Sequence, residues 1–151
     1  MAFVSMINRE EFKKGGWGNY DNDIRVSVNK QKSGGERMVF NFGNNIVENI
    51  GWITKDRVVI KWDPETKEGI IRRATLEEKQ LSLSLSKGGS GKRLRTTFKW
   101  RQGFPRPDKP VSLEGVEINN HEIFFDFPLS CFAYLIKARA ELLKQNKERF
   151  I

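Results

Sequence analysis

The chain has little from which to build a catalytic centre. It contains one cysteine, Cys131, and one histidine, His121. A single cysteine excludes an internal disulfide and a cysteine-rich zinc site. No Ser/His/Asp or Cys/His arrangement can be assembled from one of each. His121 falls beside Asn119-Asn120, a turn-forming pair, and reads as a surface residue. Cys131 stands at the start of an apolar helical stretch and reads as a small core residue, with a thiol activated by a helix N-terminus as the alternative. The Glu10-Glu11 and Glu77-Glu78 pairs sit next to lysines and read as solvated charge. The glycine-rich run KGGSGK at 87–92 lacks the phosphate-loop signature, because Arg93 stands where Ser or Thr would hold magnesium. The expectation is a protein that is not an enzyme and uses no metal or cofactor.

Long apolar runs are also missing. None approaches the roughly 18 residues of a membrane helix. The opening MAFVSMINREEFKK lacks the pattern of a secretory signal. A cytoplasmic protein without a membrane partner is expected. Prolines are few, and three of the five, Pro105, Pro107 and Pro110, crowd into 102–110. Each lacks a ladder donor, so that stretch reads as an irregular loop.

What the chain does have is positive charge, +8 over 151 residues with a pI near 9.7. Such an excess attracts polyanions at long range, nucleic acid above all, with an acidic protein surface as the competitor.

The hydrophobic pattern is largely of period two. At 24–42 the sequence IRVSVNKQKSGGERMVFNF alternates, passes a basic Gly/Ser turn, and ends on Phe40 and Phe42. At 81–100 LSLSLSKGGSGKRLRTTFKW repeats that outline and ends on Phe98 and Trp100. A second pair of hairpins follows at the same offset, with Val58 and Ile60 answered by Val116 and Ile118. The spacing predicts two related β halves, 24–75 and 80–127, in a single domain of 1–151. The fold class expected is α+β, mostly β, with a barrel or sandwich-like core. Asn8 to Glu11 reads as a capping box opening a short N-terminal helix that Gly15-Gly16 ends. At 129–149, after Pro128 and with Ser130 as cap, Phe132, Leu135, Ile136, Leu142 and Leu143 lie at helical spacing among Lys and Arg. This C-terminal amphipathic helix either packs on the sheet or makes a homodimer or partner contact.

The charge is clustered. Between 87 and 109 lie Lys87, Lys92, Arg93, Arg95, Lys99, Arg101, Arg106 and Lys109, opposed only by Asp108. On a strand, Arg93, Arg95, Lys99 and Arg101 share one face. The first hairpin adds Arg25, Lys30, Lys32 and Arg37. With Trp100 among its aromatics, this set is the expected nucleic-acid-binding surface. A two-stranded ribbon would suit a duplex groove, and aromatics stacking on bases would suit a single strand.

The order of features at 24–73 resembles the AbrB-like swapped-hairpin family. It runs through strand Ile24-Arg25-Val26-Ser27, strand Arg37-Met38-Val39-Phe40, a short helix at 44–49, Ile50-Gly51-Trp52, strand Asp56-Arg57-Val58-Val59-Ile60 and the returning Ile70-Ile71-Arg72. Lys55 stands where that family has a glycine before the aspartate. The resemblance implies a β-barrel whose basic strands grip DNA to regulate transcription, with Arg25 and Arg37 as contacts and one chain acting as a pseudo-dimer; DNA binding would place the cytoplasmic protein on the nucleoid. The basic sheet followed by a helix is similar, more loosely, to the Whirly-type single-strand binders. A basic inhibitor or adaptor docking on an acidic protein is the third expectation.

Overall fold

Alternating apolar residues fold this chain into two facing antiparallel sheets. A computed structural model describes residues 21–149, so the expected N-terminal helix at Asn8–Glu11 lies outside the described residues. The strands are β1 (Ile24–Lys30), β2 (Glu36–Phe42), β3 (Arg57–Trp62), β4 (Glu68–Arg73), β5 (Leu83–Ser84), β6 (Ser86–Lys87), β7 (Leu94–Lys99), β8 (Val111–Ser112), β9 (Glu114–Asn119) and β10 (Glu122–Asp126). Helix α1 (Asn44–Ile50) follows β2 and helix α2 (Ala133–Arg149) closes the chain. The first sheet runs β6-β7-β2-β1-β8 and the second β5-β3-β4-β10-β9.

The inward sides share one core. Ile24, Val26, Met38, Phe40 and Phe42 of the first sheet meet Val58, Ile71, Ile123 and Phe125 of the second. Phe40 is the hub, with its ring 5.8 Å from Phe98 and 6.4 Å from both Phe125 and Phe127. Helix α1 caps one end through Ile46, Val47 and Ile50, and Gly51 ends it at φ 78. Lys55 adopts φ 74, the left-handed turn conformation that glycine most readily supplies. The β9–β10 hairpin turns on Asn120 and His121, both at positive φ, one residue later than the sequence suggests.

Three expectations are corrected. Of the barrel or sandwich-like core expected, the barrel is not formed: the sheets do not close by hydrogen bonds, and they give a sandwich-like, two-sheet arrangement whose sides are bridged by bent segments. Leu85, between β5 and β6, and Leu113, between β8 and β9, are each buried where the chain passes from one sheet to the other. For the same reason Leu81, Leu83 and Leu85 do not form one strand. A 3-10 turn (Leu76–Leu81) holds Leu81 exposed, and β5 pairs with β3 while β6 pairs with β7. The amphipathic helix does not pack on the sheet. A 3-10 turn (Leu129–Phe132) precedes it in place of the Ser130 cap, and only its first turn is docked. There the Tyr134 hydroxyl donates to the Phe104 carbonyl at 2.6 Å. No helix among the described residues is long and apolar enough to cross a membrane.

Candidate nucleic-acid interface

Period-two alternation sets the outward side of the first sheet as strictly as it sets the core. β1 turns Arg25, Ser27 and Asn29 outward, β2 turns out Arg37, Val39 and Asn41, and β7 turns out Arg95, Thr97 and Lys99. Strand register arranges them in rows. One row runs Ser112–Arg25–Asn41–Arg95–Ser86, the next Ser27–Val39–Thr97, and the third Asn29–Arg37–Lys99. At about 4.8 Å between strands and about 3.4 Å per residue, the three main strands offer a face of about 10 by 14 Å. Val39 floors a groove of about 330 Å³ that Arg25, Asn41, Arg93 and Arg95 line.

None of these row positions holds a carboxylate. Arg37 lies directly opposite Lys99, an arrangement that costs stability in a sheet. The Arg37 guanidinium donates to Thr97 Oγ1 at 3.4 Å, and neither Arg95 nor Lys99 makes an ion pair among the described residues. Apart from Val39 at the centre, the neutral positions are hydrogen-bonding side chains, so the face is cationic and polar around one apolar residue.

Among the described residues acid appears only at the edge of this face, where it has structural work. Asp21 accepts from Arg93 Nη2 at 2.9 Å and from Asn44 Nδ2 at 2.9 Å. The Arg93 hydrogen bond and charge, helped by Asn44, hold the Asp21 carboxyl below its ordinary range. Asn44 Oδ1 in turn accepts the Lys92 amide at 2.7 Å, fixing the glycine-rich β6–β7 turn to the start of α1.

The outward side of the second sheet is the contrast. Glu78 reaches back over it and accepts Arg72 Nη1 and Nη2, each at 2.7 Å, with Lys61 at 3.3 Å. Those bonds, Arg72 first and the Thr75 amide next, hold the Glu78 carboxyl well below the usual carboxylate range. Glu122 adds a longer contact to Arg72 at 3.9 Å. Glu78 thus neutralises Arg72 and Lys61 on this side, whereas Arg37, Arg95 and Lys99 of the first sheet make no ion pair among the described residues.

No protein-family model, curated protein or solved structure matches the chain. Its own geometry sorts the residues singled out from the sequence. Arg25, Arg37, Arg95 and Lys99 share the outward face, with Arg93 at its margin. Lys30 and Lys32 are exposed at the β1–β2 connection. Lys87 and Lys92 line a separate cleft of about 370 Å³ over Trp52 and Leu94, where Lys92 lies 3.7 Å from Glu48. Arg101 is exposed just beyond β7.

Trp100 and Arg106 lie elsewhere. Trp100 Nε1 donates to the Pro105 carbonyl at 3.0 Å, and the Arg106 guanidinium sits 5.0 Å from the Trp100 ring centroid while pairing with Glu36. They lock the proline loop against β2 and α2. The residues missed were Ser27, Asn29, Asn41, Thr97 and Ser112. The alternation of β1 and β2 carried the signal for the first three, since the chain neighbours of core-facing Val26, Val28, Phe40 and Phe42 must face out. Cys131 is fully buried, and burial pushes its thiol up to about 11, the opposite of an activated nucleophile.

Proposed function

We propose that the chain is a non-enzymatic nucleic-acid-binding protein that takes duplex DNA on the outward face of the first sheet, in a transcription-regulatory, nucleoid-associated and hence cytoplasmic role. The observation that carries this reading is the carboxylate-free set of rows, with Arg37 and Lys99 opposed and no acid between them. A polyanion relieves that repulsion, and counterion release makes its binding favourable. Arginine and lysine neutralise phosphates, while Asn, Ser and Thr donate to phosphate oxygens or base edges. A face about 14 Å long spans about four base-pair steps along the duplex axis, at about 3.4 Å of rise per step.

Duplex is preferred to single strand for one reason. The row positions carry no aromatic ring, and the aromatics of β7 and the loop after it are turned inward: Phe98 contacts Phe40 and Phe104, and Trp100 contacts Tyr134. Stacking, the usual source of single-strand affinity, has no platform there.

We also read the two halves as related, which is what the AbrB-like resemblance implies. Two features support this. β2 pairs with β7 through Val39 opposite Thr97, and the step between those two is the one that takes Phe40 to Phe98 and Phe42 to Trp100. In the second sheet the β3–β4 hairpin likewise meets the β9–β10 hairpin through β4 and β10. The left-handed Lys55 keeps the turn that a glycine fills in the family.

The test is fluorescence anisotropy with duplex DNA, single-stranded DNA and RNA at two salt concentrations. Duplex binding should be tightest and fall steeply with salt. Arg95→Glu/Lys99→Glu should weaken it by about tenfold or more per residue while the unfolding midpoint barely moves. Equal or tighter binding of a single strand would favour the single-strand reading. Absence of binding to every polynucleotide at low salt would leave an acidic protein as the partner.

A further inference from the structure

Among the described residues, helix α2 beyond its docked first turn and the part of the second sheet's outward side away from Glu78 are both exposed, and each has what the other lacks. From Ile136 to Gln145 every helix side chain is exposed, with Ile136 at 70%, Leu142 at 58% and Leu143 at 56%. Lys137, Arg139 and Lys144 share that stretch with one acid, Glu141. On the second sheet, register sets Ile70 beside Phe124, which is 40% exposed, with Glu117 next in the row. The row below is Glu68–Asp126–Glu114, three exposed carboxylates side by side with no ion pair among the described residues. Residues 111–136 contain no Lys or Arg at all. Ile70, Phe124 and Pro64 line a groove of about 620 Å³ on this side.

We infer that α2 of a second copy of this chain lies across the outward side of the second sheet, with Ile136, Leu142 and Leu143 over Ile70 and Phe124 and the helix lysines against the carboxylate row. The helix cannot easily serve its own sheet. The Leu129–Phe132 turn runs straight into it without a linker, and both neighbours of the junction are anchored. The Phe132 ring stacks on Trp62 at 5.8 Å, and Tyr134 is tied to Phe104. Folding α2 back would break those anchors; meeting a second copy keeps them. A 17-residue helix is about 25 Å long. Exchanged reciprocally about a two-fold axis, two such contacts reach the roughly 1,200 Å² of a stable interface. The cationic face of the first sheet stays open in this dimer, and the inference does not depend on what that face binds.

Sedimentation equilibrium of the full chain tests it. A dimer is expected, reduced to monomer by Phe124→Glu and by Leu142→Glu/Leu143→Glu, with circular dichroism confirming that the sheets remain folded. Charge exchange is the sharper arm. Lys137→Glu/Lys144→Glu on the helix, or Glu68→Lys/Asp126→Lys on the sheet, should each weaken self-association by about tenfold or more. Mixing the two variants should restore a dimer, because both contacts of the mixed pair are again complementary. A chain that stays monomeric at every concentration overturns the inference. So does a dimer indifferent to the sheet substitutions, which would pair helix with helix. So does a monomer whose thermal stability falls with the sheet substitutions, which would place α2 on its own sheet.

Discussion

Phe40→Ala should cost about 3–5 kcal/mol, a large part of the about 5–15 kcal/mol that holds a domain of this kind folded. Phe40 is completely buried in β2, the strand that pairs with both β1 and β7. Its ring spans the gap between the sheets, touching Phe98 on its own side and Phe125 and Phe127 across the core. The cavity left by truncation cannot close, because the surrounding side chains stand on strands fixed by their ladders. Urea unfolding measures this directly. Phe40→Leu should lose much less, since it refills most of the volume. A Phe40→Ala loss below about 1 kcal/mol would mean that the two sheets do not share one core.

Gly69→Ala is expected to destabilise by about 2–3 kcal/mol, against the usual sign for glycine in a strand. Elsewhere in a sheet, alanine would gain a few tenths of a kcal/mol or more from lower chain entropy. Here a Cβ on Gly69 would stand 2.2, 2.6 and 2.8 Å from Cζ, Cε2 and Cε1 of Phe125. Phe125 is the cross-strand partner of Gly69 and is itself 2% exposed, with Phe127 edge-on at 5.0 Å. The ring has nowhere to go. Gly69→Ala/Phe125→Leu should recover part of the loss, and the double-mutant cycle should show coupling of about 1 kcal/mol or more. Additive effects would show that the ring can move aside.

The period-two pattern made much of this legible. The buried set of Ile24, Val26, Met38, Phe40 and Phe42 follows from alternation alone, and so does the shared face of Arg95 and Lys99. Where the chain bends between sheets the pattern misleads. Leu81, Leu83 and Leu85 alternate as a strand would, but Leu85 is buried at a corner and Leu81 is exposed, because sequence period says nothing of which sheet a residue joins. Trp100 and Arg106 belonged to the right basic cluster by number. A tertiary contact, the indole donating to Pro105 in a loop of three prolines, turned both inward. Pattern also cannot say whether a helix has a neighbour, so Leu142 and Leu143 read first as core, with a contact surface as the alternative. Glu78 gave no warning of its reach, since its partners Arg72 and Lys61 meet it only after the β3–β4 hairpin has folded.

The bends at Leu85 and Leu113 also govern how the sheets end. Three of the four outermost strands, β5, β6 and β8, are two residues long, and the fourth, β9, carries Glu114, Glu117 and a glycine at φ 58. Such short or charged margins give an incoming peptide no long, uncharged outermost strand to copy. Strand addition onto these outermost strands is therefore disfavoured, whether by a partner or by its own aggregates.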